Sequence, residues 1–248
     1  MKFLVFGDSH TTYFNITESM RGVDSNLRGV NSIVKTIGGS TISGFGKRES
    51  TLNTLHAYKK AYELYKPDYI VFALGQVDLE LGYYYRWFVK QEKPDFNEYI
   101  TGLASSLVAE VSSIAEIYDL NLSQLLFKGV NLSVLTYDRA LAVKYTTGII
   151  AENLENVSQV EGVKKEMLSY FPSNLERRNM HLRFNDLIKS TAIKAGMKYF
   201  DINEEITDES SLHVRREFVP AKYDHHLVDS LDVRLIHVRK LLNTIYGC

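Results

Sequence analysis

Short apolar runs alternate with longer amphipathic stretches along the chain. The runs are rich in β-branched and aromatic residues, and turn signals such as glycine, asparagine or aspartate follow them, which is typical of strands. Because they are mostly apolar rather than alternating, they indicate parallel strands covered on both faces. Five strands are predicted, at Lys2–Phe6, Asn31–Ile37, Asp68–Leu74, Asn131–Thr136 and Lys198–Ile202.

Four stretches have the period of an amphipathic helix. They are Ser50–Tyr65, Phe96–Tyr118, Asn174–Ala195 and Asp232–Tyr246. Strands that alternate with helices predict an α/β fold with right-handed crossovers. We therefore expect a three-layer α/β/α domain, a flavodoxin-like doubly wound parallel sheet of about five strands. No repeat or linker divides residues 1–248, so one domain is predicted.

The segment from Arg139 to Phe171 is long for a connection between a strand and a helix, where a few residues are usual. It predicts a small helical excursion over the edge of the sheet. Two interpretations stay open, a lid over a site and a surface insertion.

Composition narrows the class of protein. Apolar residues make up 45% of the chain and charged residues 24%, which is typical of a globular protein. A formal net charge of −1 gives no reason to expect nucleic acid or an acidic membrane as partner. The single cysteine, Cys248, excludes an internal disulfide framework and a thiolate zinc site.

The chain offers no sign of a membrane span or a signal peptide. No stretch reaches the ~18 apolar residues of a span, and the apolar run at Lys2–Phe6 is too short for the core of a signal peptide. We expect a cytoplasmic protein without a membrane span; the sequence leaves its oligomeric state open.

Polar loops follow the predicted strands, where ligands bind in open α/β sheets. These loops are Asp8-Ser9-His10, residues 38–46, Gly75-Gln76-Val77-Asp78 and, before the last helix, Tyr223–Leu227. Because the carboxyl ends of parallel strands meet at one edge of a sheet, their side chains are expected to lie close together.

This set of residues suits nucleophilic catalysis. A serine needs a base to take its proton, a carboxylate to orient that base, and N–H donors for the oxyanion. Ser9 is the candidate nucleophile, His226 or His225 the base, and Asp224 the orienting acid. Phosphate-binding glycine motifs and the G-x-S-x-G sequence are absent. We expect no cofactor, and no metal site, because adjacent histidine side chains diverge and no carboxylate cluster supports them.

At these residues the chain resembles the SGNH, or GDSL-type, hydrolase family. Four blocks occur in the family's order: Gly7-Asp8-Ser9, Thr41-Ile42-Ser43-Gly44, Gly75-Gln76-Val77-Asp78 and Asp224-His225-His226. The resemblance implies that Ser9 attacks an ester or thioester carbonyl. It also implies that the backbone N–H groups of Ser9 and Gly44 hold the oxyanion.

Two departures from the family pattern matter. Val77 stands where the family has an asparagine donor, and Gln76 beside it is expected to substitute. Asp224 lies two residues before His226 instead of three. His226 is the preferred base, because Leu227 follows it as a small apolar residue or proline commonly follows the family histidine. His225 is the alternative.

The segment just beyond the third block is rich in aromatic residues. Tyr84, Arg86 and Trp87 are candidate substrate-binding residues, since aromatic rings with an arginine can form a stacking platform for a sugar or an acyl group. The alternative is an amphipathic helix that packs on the core.

The sequence thus predicts a serine hydrolase that cleaves a carboxylic ester, an acetyl ester of a sugar or small metabolite, through an acyl-Ser9 intermediate. Its partner is then a small-molecule or glycan ester. Two alternatives remain: an O-acetyltransferase that acts on a glycan by the same acyl-serine chemistry, and a catalytically degenerate module that binds a carbohydrate or a partner protein.

Overall fold

A five-stranded sheet forms the middle layer of the computed structural model, which describes residues 1–45, 47, 52–154 and 156–247. The strands follow the order β2-β1-β3-β4-β5, and every neighbouring pair is parallel. They are β1 (Lys2–Gly7), β2 (Asn31–Thr36), β3 (Tyr69–Ala73), β4 (Leu125–Lys128) and β5 (Lys198–Phe200). This is the flavodoxin-like order, so the predicted fold class is confirmed.

Helices cover both faces of the sheet. They are α1 (Glu18–Val23), α2 (Ile42–Phe45), α3 (Thr54–Tyr65), α4 (Phe96–Tyr118), α5 (Arg139–Ile150), α6 (Val157–Tyr170), α7 (Asn174–Lys194), α8 (Asn203–Ile206) and α9 (Leu231–Tyr246). Helices α3, α4 and α7 pack on the face that carries Leu4 and Phe6. Helices α1 and α9 pack on the face that carries Phe3 and Val5. Alternate residues of one strand thus supply two cores.

The predicted helices agree with α3, α4, α7 and α9 within a few residues. The predicted start of the first, at Ser50, lies outside the described residues, as do Gly46 of the second polar loop and Cys248. In the described part of the chain, α4 is the one helix long and apolar enough to cross a membrane. Its buried side chains, such as Leu107 and Val111, belong to the core beside α7. A helix in the core of a protein can be as long and as apolar as a membrane-spanning helix.

The fourth strand corrects the sequence prediction. The run Asn131–Thr136 is a buried loop, and the strand is the preceding run, Leu125–Lys128. Side-chain amides satisfy the loop backbone: the Val130 N–H donates to Asn185 Oδ1 at 2.8 Å, and the Leu132 N–H donates to Asn203 Oδ1 at 2.9 Å. The loop is apolar because it is buried, and its partners are side chains rather than a neighbouring strand.

The predicted excursion is helical and consists of α5 and α6. It packs on the segment after β3, where Asp78–Gly82 and Tyr85–Val89 form two short π-helical stretches. Buried residues of both parts, among them Tyr84, Phe88, Val143 and Met167, share one cluster. Whether the excursion opens as a lid stays a prediction.

The end of β1 is held close to the end of β3. The Asp8 N–H donates to the carbonyl of Ala73 at 3.2 Å, and a Cβ at Gly7 would lie 1.9 Å from that same oxygen. Only glycine fits there. Ser9 then begins a short 3₁₀ helix, Ser9–Phe14, for which Asp8 is the N-cap. The sequence Gly-Asp-Ser thereby places Ser9 at the carboxyl edge of the sheet, between β2 and β3.

Candidate active site

Ser9, His226 and Asp224 form one chain of hydrogen bonds. The distance from Ser9 Oγ to His226 Nε2 is 2.6 Å, and that from His226 Nδ1 to Asp224 Oδ1 is 2.9 Å. An ionised carboxylate only accepts, so His226 Nδ1–H donates to Asp224. His226 Nε2 then accepts from the Ser9 hydroxyl. The structure therefore brings together the three residues predicted to be catalytic, in the geometry that activates a serine.

The loop around Asp224 explains the short spacing between acid and histidine. The backbone N–H of His226 donates to the same Asp224 Oδ1, at 3.3 Å, as its ring nitrogen does. An aspartate that bonds the N–H two residues ahead forms a local turn. The turn brings the His226 ring back onto the carboxylate, so a spacing of two residues suffices.

His225, the alternative base, is hydrogen-bonded to a residue other than Ser9. Its Nδ1 is hydrogen-bonded to the hydroxyl of Tyr145, and its ring is buried. Burial and the neighbouring His10 lower the pKa of His225 to about 3. His225 is thus a neutral residue that supports the loop, and His226 occupies the position of the base.

The electrostatics suit a base that stays free at neutral pH. Burial and the nearby His10 lower the pKa of His226 below its usual value, although the bond to Asp224 acts in the opposite direction. Burial alone would raise the pKa of Asp224. Hydrogen bonds from His226 and Tyr145 outweigh burial and lower that pKa to about 2. Asp224 is therefore ionised when His226 is ready to accept a proton.

A second aspartate–histidine pair lies against the first. Asp8 Oδ1 accepts from the backbone N–H of His10 at 2.9 Å and is 3.0 Å from His10 Nδ1. The His10 ring stacks on the His226 ring, with centroids 4.3 Å apart and 20° between the planes. Asp8-Ser9-His10 and Asp224-His225-His226 thus adopt the same local turn, and their rings pack face to face.

The second and third sequence blocks are joined by Asp78. Its buried carboxylate accepts from the Ile42 N–H at 2.8 Å, and this bond fixes the turn that carries Gly44. Burial raises the pKa of Asp78 to about 7 against the effect of that bond. The Gly44 N–H donates within its own turn to Thr41 Oγ1 at 3.0 Å and to the Thr41 carbonyl at 3.2 Å. It reaches an oxyanion only if both of these bonds to Thr41 are released, so the oxyanion role of Gly44 stays a prediction.

Gln76 requires a correction. Its side-chain amide makes two hydrogen bonds to the backbone of Asn131: Nε2 donates to the carbonyl at 3.1 Å, and Oε1 accepts from the N–H at 2.8 Å. Gln76 is buried and joins the loop after β3 to the loop after β4. The amide is committed to this link and does not replace the missing asparagine donor beside Ser9.

The predicted stacking platform is also corrected. Tyr84 is buried against Phe88 and Phe171, Trp87 packs on Tyr83 and Phe88, and Arg86 pairs with Glu92 at 3.4 Å. Tyr84 and Trp87 join the cluster between the segment after β3 and the helical excursion, whereas Arg86 is exposed and lies over the Tyr99 ring of α4. The alternative interpretation, an element that packs on the core, is the one the structure supports.

One cluster of potential metal ligands occurs in the described part of the chain: His10, His225 and His226 each have a ring nitrogen within 4.8 Å of the others. The argument that adjacent histidines diverge is wrong here, since the rings of His225 and His226 lie 4.1 Å apart. Both nitrogens of His226 are engaged, however, by Ser9 and Asp224, so this ring has no free nitrogen to offer a metal. The absence of a metal stays a prediction.

Sequence comparison finds no relatives, whereas the fold has many. No protein-family profile matches the chain, and no curated protein is similar to it in sequence. A variant of Axe2, an acetylxylan esterase from Geobacillus stearothermophilus, matches with a TM-score of 0.54 at 14% identity over 98% of this chain and 93% of that chain. A GDSL-like lipase from Bacteroides thetaiotaomicron matches with 0.51 at 12% identity over 99% and 88%. The chain has the SGNH-hydrolase fold. At these identities the likeness establishes the fold and nothing finer.

LAE5, an α/β hydrolase enzyme from the metagenome of Lake Arreo, Spain, is similar to the same extent, with a TM-score of 0.55 at 14% identity over 100% of this chain and 95% of that chain. The structure brings to the site two residues, His10 and Tyr145, that the sequence did not assign to it. His10 had a signal, because it repeats the Asp-x-His pattern of the catalytic loop. Tyr145 had none, because it lies in the excursion, 79 residues before Asp224.

Proposed function

We propose that this protein is a serine esterase that cleaves a carboxylic ester, an acetyl ester of a sugar or small metabolite, through an acyl-Ser9 intermediate. The observation that carries the proposal is the continuous hydrogen-bond chain from Ser9 Oγ through His226 to Asp224, with distances of 2.6 and 2.9 Å. These three hydrogen-bonded residues lie at the carboxyl edge of the sheet in an SGNH-hydrolase fold. The likeness to an acetylxylan esterase supports the choice of an acetyl ester.

The proposed reaction has two halves. Ser9 Oγ attacks the ester carbonyl while His226 Nε2 takes the hydroxyl proton, and Asp224 stabilises the imidazolium that forms. His226 then gives its proton to the leaving alcohol as the carbon–oxygen bond of the ester breaks. Water attacks the acyl-serine with His226 again as base, which releases the carboxylic acid and restores Ser9.

The oxyanion is proposed to bind to backbone N–H groups. Ser9 is the first residue of its 3₁₀ helix, where the N–H has no partner within the helix. Gly44 is the second donor once both of its bonds to Thr41 are released. Val77 supplies no side-chain donor, and losing one such donor commonly costs ~10²–10³ in rate. The esterase is therefore expected to be slow compared with relatives that retain the asparagine.

Two other functions share parts of this site. Transfer of the acetyl group to a glycan hydroxyl uses the same acyl-Ser9 step and differs in what resolves it. A degenerate module that binds a carbohydrate or a partner protein is favoured by Val77 together with the commitment of the Gln76 amide to Asn131.

The test combines turnover with covalent labelling. The wild-type protein is incubated with an aryl acetate and with a fluorophosphonate probe, beside Ser9→Ala and His226→Ala. Ser190→Ala and His56→Ala, at exposed positions of α7 and α3, serve as matched controls. We expect Ser9→Ala to lose labelling and both site variants to lose hydrolysis by a factor on the order of 10³ or more.

If wild type and Ser9→Ala hydrolyse the ester alike and neither is labelled, the esterase proposal fails, and the binding module becomes the better account. The transferase would be indicated by two results together: the fluorophosphonate probe labels Ser9, and the acetyl group that the aryl acetate leaves on Ser9 is released quickly only when a sugar is added.

A further inference from the structure

The catalytic acid receives a hydrogen bond from outside its own loop. Tyr145 lies on α5, in the helical excursion, and its hydroxyl is 2.8 Å from Asp224 Oδ1. Its ring also packs near the His225 ring, with centroids 5.5 Å apart. The side chain of Asp224 is 37% exposed, so the Tyr145 hydroxyl provides a fixed donor to a carboxylate that otherwise faces solvent in part.

The direction of each bond follows from the number of protons. Asp224 is ionised and only accepts, so the single hydroxyl proton of Tyr145 points to Asp224. In the hydrogen bond between this hydroxyl and His225 Nδ1, the donor must then be Nδ1–H of His225 and the acceptor the Tyr145 oxygen. The bonds run from His225 to Tyr145, from Tyr145 to Asp224, and from His226 to Asp224.

We propose that Tyr145 is a positioning residue for the catalytic acid, and that the helical excursion serves the reaction by supplying it. The proposal rests on the esterase function proposed above. Asp224 stands closer to its histidine in sequence than the family pattern has it. Within its own loop it is held by the backbone N–H groups of His225 and His226 and by the His226 ring. The Tyr145 hydroxyl fixes the carboxylate from across the fold while His226 turns from neutral to charged.

Removing the hydroxyl has two predicted effects on catalysis. Asp224 becomes less restrained, so kcat falls, by roughly tenfold for a hydrogen bond to a charged group. The negative charge on Oδ1 is also shared with fewer donors, which strengthens its attraction for the His226 imidazolium and raises the pKa of the base. The acid limb of the kcat/KM profile then moves to higher pH, while KM changes little.

The experiment compares Tyr145→Phe with Tyr223→Phe in the full chain. The Tyr223 hydroxyl donates to the Asp138 carbonyl at 2.9 Å, so it too joins the histidine loop to the start of α5, but it bonds to no atom of the Ser9–His226–Asp224 chain. We expect the fall in kcat and the shift of the acid limb only in Tyr145→Phe. Equal falls in both variants, with unmoved pH profiles, would show that Tyr145 only docks the excursion and would overturn the proposal.

A readout without turnover separates this proposal from the esterase function. The ring ¹⁵N shifts of His226 are followed against pH by NMR in wild type and Tyr145→Phe. An upward shift of the His226 pKa in the variant supports the positioning role, even if the wild type proves inactive on esters. An unchanged pKa contradicts it, whatever the activity.

The partner of the hydroxyl gives a further check by conservative replacement. In His225→Asn the side-chain NH₂ can stand where Nδ1–H stood and still donate to Tyr145, whereas His225→Leu cannot donate. We expect the asparagine variant to keep more of the wild-type kcat than the leucine variant. The same loss in both would contradict the chain of bonds from His225 to Asp224.

Discussion

The ring of His10 lies on the ring of His226, with centroids 4.3 Å apart and planes 20° from parallel. Each ring is held by the aspartate two residues before it, through Asp8 Oδ1 for His10 and Asp224 Oδ1 for His226. The base is therefore packed between its own acid and a second imidazole. Such packing limits the orientations of His226 and also adjusts its pKa.

We expect the acid limb of the wild-type kcat/KM profile to have its midpoint below pH 6.5, the ordinary pKa of histidine, because burial and His10 both lower the pKa of His226. In His10→Asn the side-chain NH₂ can still donate to Asp8, but the neighbouring imidazole is gone. The acid limb should then move to higher pH, and kcat should fall because the stacking support is lost. The measurement is a pH–rate profile on an aryl acetate.

The control for that experiment is His237→Asn. His237 is also a buried imidazole, bonded through Nδ1 to the Val233 carbonyl at 2.7 Å, and it stacks on Tyr13 rather than on the base. This variant should lose stability without moving the profile. Identical acid limbs in wild type and His10→Asn would contradict the electrostatic role of His10.

Asp78 makes the folding stability depend on pH. Its folded pKa, about 7, lies above the ordinary value of 3.8 because the carboxyl is buried. Between these two values the folded state holds more protons than the unfolded state, so stability falls as the pH rises through this window. Asp78→Asn keeps an acceptor for the Ile42 N–H and removes the titration.

Urea unfolding at pH 4.5 and 7.5 tests this expectation. The loss of unfolding free energy between the two conditions should be about 1 to 4 kcal/mol larger in wild type than in Asp78→Asn. Glu116→Gln, which removes an exposed carboxylate on α4, should leave the difference unchanged. Parallel pH dependence in all three proteins would show that Asp78 does not titrate on unfolding in this range.

Much of the fold could be predicted from local pattern. Strands β1 to β3 and β5 lie within a residue or two of the predicted runs, and helix α4 has the predicted bounds, because buried strands and amphipathic helices leave a period in the sequence. The β4 strand was misplaced because Asn131–Thr136 is as apolar as a strand. Its backbone partners are the side-chain amides of Gln76, Asn185 and Asn203, which lie far away in sequence and give no local sign that the run is a loop.

The parts of the candidate site that lie on local sequence motifs could also be predicted. Short motifs carry Ser9, His226 and Asp224, and both the order of these motifs and their positions relative to the predicted strands can be read from the sequence. The direction of a side-chain amide such as that of Gln76 depends on a contact 55 residues away, and the role of Tyr145 depends on how an excursion folds back. Such contacts carry no local signal.

Gln76 is expected to matter for stability rather than for the oxyanion. Gln76→Met keeps the shape and removes the amide, which leaves the buried Asn131 N–H without its partner, whereas the Asn131 carbonyl still has His181 Nδ1 at 2.7 Å. The free energy of unfolding should fall by about 1–3 kcal/mol. The rate per active site, counted by fluorophosphonate titration, should change little. A loss of ~10² in kcat at undiminished stability would instead restore the oxyanion role for Gln76.

Val77 is expected to limit the rate of the chemical step. It is buried directly after the Gly75 turn, at the position where the family places its asparagine donor. Val77→Asn supplies an N–H₂ group for the oxyanion, and an interaction made mainly in the transition state should raise kcat more than it lowers KM. Val77→Leu is the matched control, because leucine has nearly the shape of asparagine and no donor. We expect an increase of about tenfold or more in kcat for asparagine and none for leucine. Equal rates in the two variants would mean that the side chain at position 77 does not face the oxyanion, and that backbone N–H groups alone stabilise it.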